Sequence, residues 1–149
     1  MIRYFGLFIL TGFFYQSFSQ SSYQLNGNAI ATGSDCYQIT AAVGNQVGTV
    51  WYTDLLNLNQ PFEINFEMNF GNNDAGADGM VFGLQTVGPF AAGVGGGGIG
   101  FTGFSPSLGI EFDTYYNSGF GDIVNDHVAI MQNGSGTHTS TDNLAGPVQ

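Results

Sequence analysis

The sequence predicts an all-β protein, and three observations carry that prediction. Between Pro61 and Phe70, Phe62, Ile64, Phe66, Met68 and Phe70 alternate with Glu63, Asn65, Glu67 and Asn69, the period-two pattern of a long strand with one face in a core and one in water. A second alternation runs through Ile110, Phe112 and Thr114 against Glu111, Asp113 and Tyr115. Glycine- and asparagine-rich segments punctuate short apolar runs elsewhere, which is how turns separate strands. The length of 149 residues suits one domain. Only 8% of the residues are charged, so solubility must rest on Asn, Gln, Ser, Thr and Gly, a composition suited to an extracellular β-protein that contacts polar, uncharged ligands.

The N-terminus has the form of a secretory signal over residues 1–19. Arg3 supplies a basic start, an apolar run follows from Tyr4 to about Tyr15, and Ser17-Phe18-Ser19 places small residues at the cleavage positions. The mature chain is expected to begin at Gln20. The apolar run is too short for a transmembrane helix, and no later stretch has the length to span a bilayer. Cleavage removes Arg3, the only Lys or Arg, and leaves all 11 acidic residues. Such a surface excludes nucleic-acid partners and disfavours anionic membranes, but attracts divalent cations. Cys36 is the single cysteine, so an internal disulfide is impossible; it reads as a small buried hydrophobe on a strand.

In chain order, Tyr23–Thr32 is expected to form a first edge strand with a turn at Asn26-Gly27. Cys36–Thr40 and Thr49–Thr53 are short strands; the second holds Trp51, which reads as core. Pro61–Phe70 is the long strand above, with Glu63 and Glu67 on its solvated face. A turn-rich loop over 71–76 leads into a strand entered by Ala77-Asp78-Gly79-Met80-Val81-Phe82. The run Gly93–Gly100 lacks the Lys and following helix of a phosphate-binding loop. Phe101–Ser107 is read as a short strand and turn, and Val128–Met131 as a strand. Residues 133–141 form a polar loop in which His138 lies at the surface and Asn133-Gly134-Ser135 fits a glycosylation sequon. No closing strand is expected before Gln149.

The stretch from Glu111 to His127 concentrates chemistry. Glu111, Asp113, Asn117, Asp122, Asp126 and His127 are oxygen donors with one imidazole, and no cation in the sequence neutralises them. A divalent ion is the natural counter-charge. Carboxylates, an amide oxygen and carbonyls suit calcium; a carboxylate cluster with one His suits a transition ion such as manganese. The donors suffice for two adjacent ions.

Glu111-Phe112-Asp113-Thr114-Tyr115-x-Asn117, then Asp122, then Asp126-His127-Val128, resembles the metal-binding loop of the legume-type (L-type) lectins. The resemblance implies a concanavalin-like jelly-roll sandwich of antiparallel sheets, with residues 20–149 covering only the N-terminal part of that domain. It implies that Glu111 and His127 bind a transition metal such as Mn2+, that Asp113 and Asp122 bridge it to Ca2+, and that Asn117 Oδ1 and the Tyr115 carbonyl complete the calcium shell. It also implies a cis Ala77–Asp78 peptide, with Asp78 as the main sugar-binding carboxylate. A backbone N–H of the glycine loop, taken as Gly97, and the Asn117 amide would donate to the sugar, and Tyr115 or Phe120 would stack on its ring. Asp126 is a candidate orienting partner for His127.

The expected function is then a secreted or cell-surface lectin for glycans carrying neutral sugars, with no catalysis, no nucleic acid and no membrane insertion; the sequence leaves its oligomeric state open. Two alternatives stand beside it. One is an adhesive or structural module of the same fold. The other is a jelly-roll glycosidase, for which Glu111-x-Asp113-x-x-Tyr116 lacks the second Glu that an acid/base would need.

Overall fold

The computed structural model describes residues 22–149; the expected signal peptide and Gln20 lie outside them. The chain forms eight strands joined by turns, with two short 3-10 turns and no α-helix among the described residues. No helix there is long and apolar enough to cross a membrane. β1 (Tyr23–Gly27) pairs antiparallel with β4 (Gly48–Tyr52), Tyr23 opposite Tyr52. β2 (Ile30–Gly33) and β3 (Cys36–Gln38) form a hairpin with an irregular register. β5 (Gly79–Gln85), β6 (Ser107–Asp113), β7 (His127–Gln132) and β8 (Asn143–Val148) form a four-stranded antiparallel sheet in that order. These are antiparallel all-β sheets of the kind a concanavalin-like jelly roll is built from.

The sheet has two unequal faces. On β6, Ser107, Gly109, Glu111 and Asp113 are buried while the alternate positions are more open; on β7 the buried set is His127, Ala129 and Met131. The carboxylates thus lie on the buried face and Leu108 and Ile130 are exposed. The buried face packs on Ala91, Phe101 and Phe104, with Trp51 and Val81 against them. The Trp51 and Phe101 rings each meet Phe104 edge-on, at 5.8 and 5.4 Å. Trp51 belongs to this core as expected, and its Nε1–H donates to the Ala91 carbonyl at 2.6 Å. Asn26 Nδ2 donates to the Pro89 carbonyl at 2.9 Å, so β1 and β4 are tied to the connection that precedes the glycine loop.

Four expectations are corrected. Pro61–Phe70 forms no strand: its side chains are exposed apart from half-buried Met68, and Phe66 stacks on Phe82 with ring centroids 4.9 Å apart. Alternation specifies faces, but a strand also needs a neighbouring edge to hydrogen-bond, and no described strand pairs with this segment. Phe101–Ser107 is a series of turns that buries Phe101 and Phe104, with strand structure starting only at Ser107. Cys36 is exposed rather than buried, because its hairpin packs only half-heartedly on the rest; all of β2 is exposed. Finally, a closing strand is present. β8 pairs with β7 and contains Gly146-Pro147; an edge strand tolerates Pro, which has no N–H to give to a ladder.

Candidate functional site

Register brings the chemistry together. Asp113, the last residue of β6, lies opposite Gly79 at the start of β5 and opposite His127 at the start of β7. The ends of three neighbouring strands therefore meet at one point. The peptide before Asp78, Ala77–Asp78, is cis, as the resemblance implied. The Asp78 carbonyl accepts hydrogen bonds from the Thr114 N–H at 2.8 Å and the Thr114 hydroxyl at 3.0 Å, which fixes the Asp78 backbone against the loop after β6.

That loop is organised by its own carboxylates. Asp113 Oδ1 accepts from the Tyr115 N–H at 2.7 Å. Asp122 Oδ2 accepts from the Asn117 N–H at 2.6 Å. Between them Ser118–Phe120 makes a 3-10 turn ending at Gly121, whose φ of 81° is left-handed. Asn117 Oδ1 and Asp122 Oδ1 remain buried without a hydrogen-bond partner. The glycine loop completes the constellation. A Cβ on Gly97 would stand 2.4 Å from Asn117 Oδ1 and 3.0 Å from Phe120 Cε2, so the missing side chain lets Gly97, Asn117 and Phe120 approach one another. The Tyr115 side chain stays open to solvent.

Beneath this surface sits the buried charge. Glu111 is 2% exposed, and Asp113 and His127 are each 3% exposed. His127 Nδ1–H donates to the Asn125 carbonyl at 3.0 Å; a carbonyl only accepts, so in the neutral ring the lone pair belongs to Nε2. Nε2 lies 4.0 Å from Asp113 Oδ2 and makes no hydrogen bond. Asp126, the expected partner of His127, is exposed; the adjacent backbone carbonyl does that work instead. Burial pushes the Asp113 carboxyl up to about 6, with further rises from Glu111 and Asp122 opposed by the Tyr115 N–H and His127. Burial also raises Glu111, against the lowering effect of His138. Asp78 is raised by burial and then by the charge of Asp122, so Asp78 faces the same electrostatic environment.

His138 is the residue that sequence reasoning misplaced. It is 8% exposed, not a surface residue. Its Nε2 lies 2.7 Å from Glu111 Oε2 and its Nδ1 3.2 Å from Asp122 Oδ1. Its backbone N–H donates to the Phe120 carbonyl at 2.8 Å, which folds the 133–141 loop back onto the loop that follows β6. A usable signal was present: the chain has two histidines and, apart from Arg3, no Lys or Arg, so both histidines are drawn to its carboxylates.

Two overlapping ligand groups result. Glu111, His127 and His138 offer atoms within 4.8 Å of one another, as do Asp113, Asp122 and His127. The donor chemistry fits divalent cations: buried carboxylates without a counter-charge, an orphaned amide oxygen at Asn117 and a free lone pair at His127 Nε2.

A family profile described as the legume lectin beta-barrel domain matches residues 15–148. The chain belongs to that family. It is also similar to a pesticidal crystal protein, Cry22Aa, of Bacillus thuringiensis, at 28% identity over 97 residues, which is 64% of this chain and 13% of that protein. The match thus spans a small part of the relative's length. Membership of the legume lectin family brings carbohydrate binding as the general activity, divalent metals as general ligands and, in general, no catalysis. The clustered carboxylates and imidazoles form a possible metal-ligand group consistent with that membership.

Proposed function

We propose that the protein is a secreted or cell-surface glycan-binding module, with residues 1–19 as its signal peptide and residues 20–149 as the lectin domain. Asp78, Asn117 and the Gly97 N–H are its polar contacts to a neutral sugar, and Phe120 or Tyr115 stacks on the ring. Asp113, Asp122, Asn117 Oδ1 and the Tyr115 carbonyl would hold calcium, and Glu111, Asp113, Asp122 and His127 a transition ion such as manganese. Bound ions would supply preorganisation, so that the loop's polar groups need not be ordered at the moment of sugar binding. The observation that supports the reading is the close approach of Gly97 to Asn117 beside the carboxylates, with Asn117 Oδ1 and Asp122 Oδ1 buried without partners and Asp78 close enough to Asp122 to feel its charge.

Affinity for one sugar is expected on the order of millimolar, so useful binding is multivalent. The test is a glycan array with the full chain displayed multivalently, in calcium and manganese and again in chelator. Binding should disappear in chelator and fall at least tenfold in Asp78→Asn and Asn117→Ala, with the melting temperature of Asp78→Asn little changed. Glycan binding that persists in chelator and in both variants would overturn the proposal.

A further inference from the structure

We propose that His138 is a direct metal ligand, so that the transition-metal pocket contains two imidazoles, His127 and His138, together with Glu111, and favours zinc or cobalt over manganese more strongly than a single-histidine pocket would. The proposal rests on reading the carboxylate cluster as a metal site; it does not depend on which sugar is bound, or on sugar binding at all.

The geometry around His138 is the argument. Its ring is buried between two carboxylates, with Nε2 2.7 Å from Glu111 Oε2 and Nδ1 3.2 Å from Asp122 Oδ1. Although Nδ1 and Asp122 Oδ1 are 3.2 Å apart, both are buried and neither makes a hydrogen bond. Buried polar atoms left without a partner are costly, and a cation bound beside both would satisfy them.

His127 presents the same requirement from the other side. Its Nε2 is buried, free and aimed into the cluster, while its Nδ1–H is anchored on a backbone carbonyl at 3.0 Å. That anchoring is the usual arrangement behind a metal-bound imidazole. The two rings stand edge to face, with centroids 5.0 Å apart. One atom each from Glu111, His127 and His138 falls within 4.8 Å of the others, close enough for one ion with bonds of about 2.0–2.2 Å to reach all three after small movements.

His138 is also held in place. Its N–H donates to the Phe120 carbonyl at 2.8 Å and its own carbonyl accepts from Asn143 Nδ2 at 2.9 Å, so the backbone that carries the ring is fixed at both its polar groups. A second imidazole changes what the site selects. Manganese is served by carboxylates, whereas imidazole nitrogens favour zinc, cobalt, nickel and copper.

The experiment uses the full chain, stripped of metal. Relative affinities for Zn2+ and Mn2+ are measured by competition, and the nitrogen count by the electron paramagnetic resonance spectrum of the Cu2+ form. The wild type should show two imidazole nitrogens. His138→Gln should show one, and its preference for zinc over manganese should narrow at least tenfold, while the calcium-induced rise in melting temperature is retained. One nitrogen in the wild type, or an unchanged zinc-to-manganese ratio in His138→Gln beside a large change in His127→Gln, would overturn the role of His138 and leave the metal site standing. No binding of any of these ions by the wild type would overturn both. The wild-type nitrogen count decides the matter even where a variant fails to fold.

Discussion

Asp113 is buried at the meeting point of three strands, and Arg3 is the only Lys or Arg in the whole sequence. Its carboxyl is pushed from 3.8 up to about 6, chiefly by burial. In the metal-free protein the native state therefore holds this proton more tightly than the unfolded chain does. The resulting stability is fully present below about pH 3.8 and lost as pH rises through about 6. A series of melts in chelator should show the melting temperature falling across that window. Asp113→Asn should flatten the fall, and an unchanged slope in that variant would refute the assignment. Gly97 gives a second prediction. A methyl group there would stand 2.4 Å from Asn117 Oδ1, so Gly97→Ala must displace Asn117 or the glycine loop, at about 1–3 kcal/mol for such overpacking. Glycan binding should drop at least tenfold while the far-ultraviolet circular dichroism spectrum is kept; unaltered binding would remove Gly97 from the site. Much of the cluster was legible in the sequence, because the spacing of candidate donors along one loop is a local property: Glu111 to His127 needed no tertiary information to be singled out. His138 needed it. It reaches Glu111 across 27 residues of chain, by way of a loop whose polar composition looks like surface.

At the scale of elements, β4 owes its place to the connection it packs against. Trp51 Nε1–H and the Thr49 hydroxyl both donate to the Ala91 carbonyl, at 2.6 and 3.1 Å. The Trp51 ring also meets Phe104 edge-on at 5.8 Å. Trp51→Phe keeps most of the apolar contact and removes one of these donors. The expected loss is about 1 kcal/mol for the hydrogen bond, with some further loss from repacking, read as a lower melting temperature. Any shift that calcium induces should be unaffected, since β4 carries none of the proposed ligands. A reduced calcium response would mean that the Ala91 connection controls the glycine loop more directly than the packing indicates. Short strands such as β4 and β7 were legible because β-branched and aromatic residues cluster between turn signals. Pro61–Phe70 had the cleanest alternation of all and forms no strand, because pairing is a property of the neighbour as much as of the segment. β8 departs in the opposite direction: no strand was expected before Gln149, yet one forms, because at a sheet edge Gly146 and Pro147 interrupt little.

For the molecule as a whole, two forces compete. The described residues leave Phe62, Ile64, Phe66, Phe70, Leu108, Ile130 and Val148 exposed, and Phe70, Phe112 and Val128 line an open hollow of about 280 Å³. Exposed apolar surface of this extent favours association. Opposing it is a net charge of −10, which keeps copies apart over a Debye length of about 30 Å at 0.01 M salt but only about 8 Å at 0.15 M. Apolar contact acts at a few ångströms and is not screened, so sodium chloride should tip the balance towards association. Light scattering or sedimentation of the full chain is expected to show larger species as salt rises, with stronger fluorescence of an apolar dye at every salt concentration than Phe62→Asn/Phe70→Asn gives. That double variant should remain small in 0.15 M salt. Its response to calcium should be that of the wild type, because neither residue contributes a metal ligand. If the wild type instead became smaller as salt was added, the contacts between copies would be electrostatic, and the exposed phenylalanines would have no part in them.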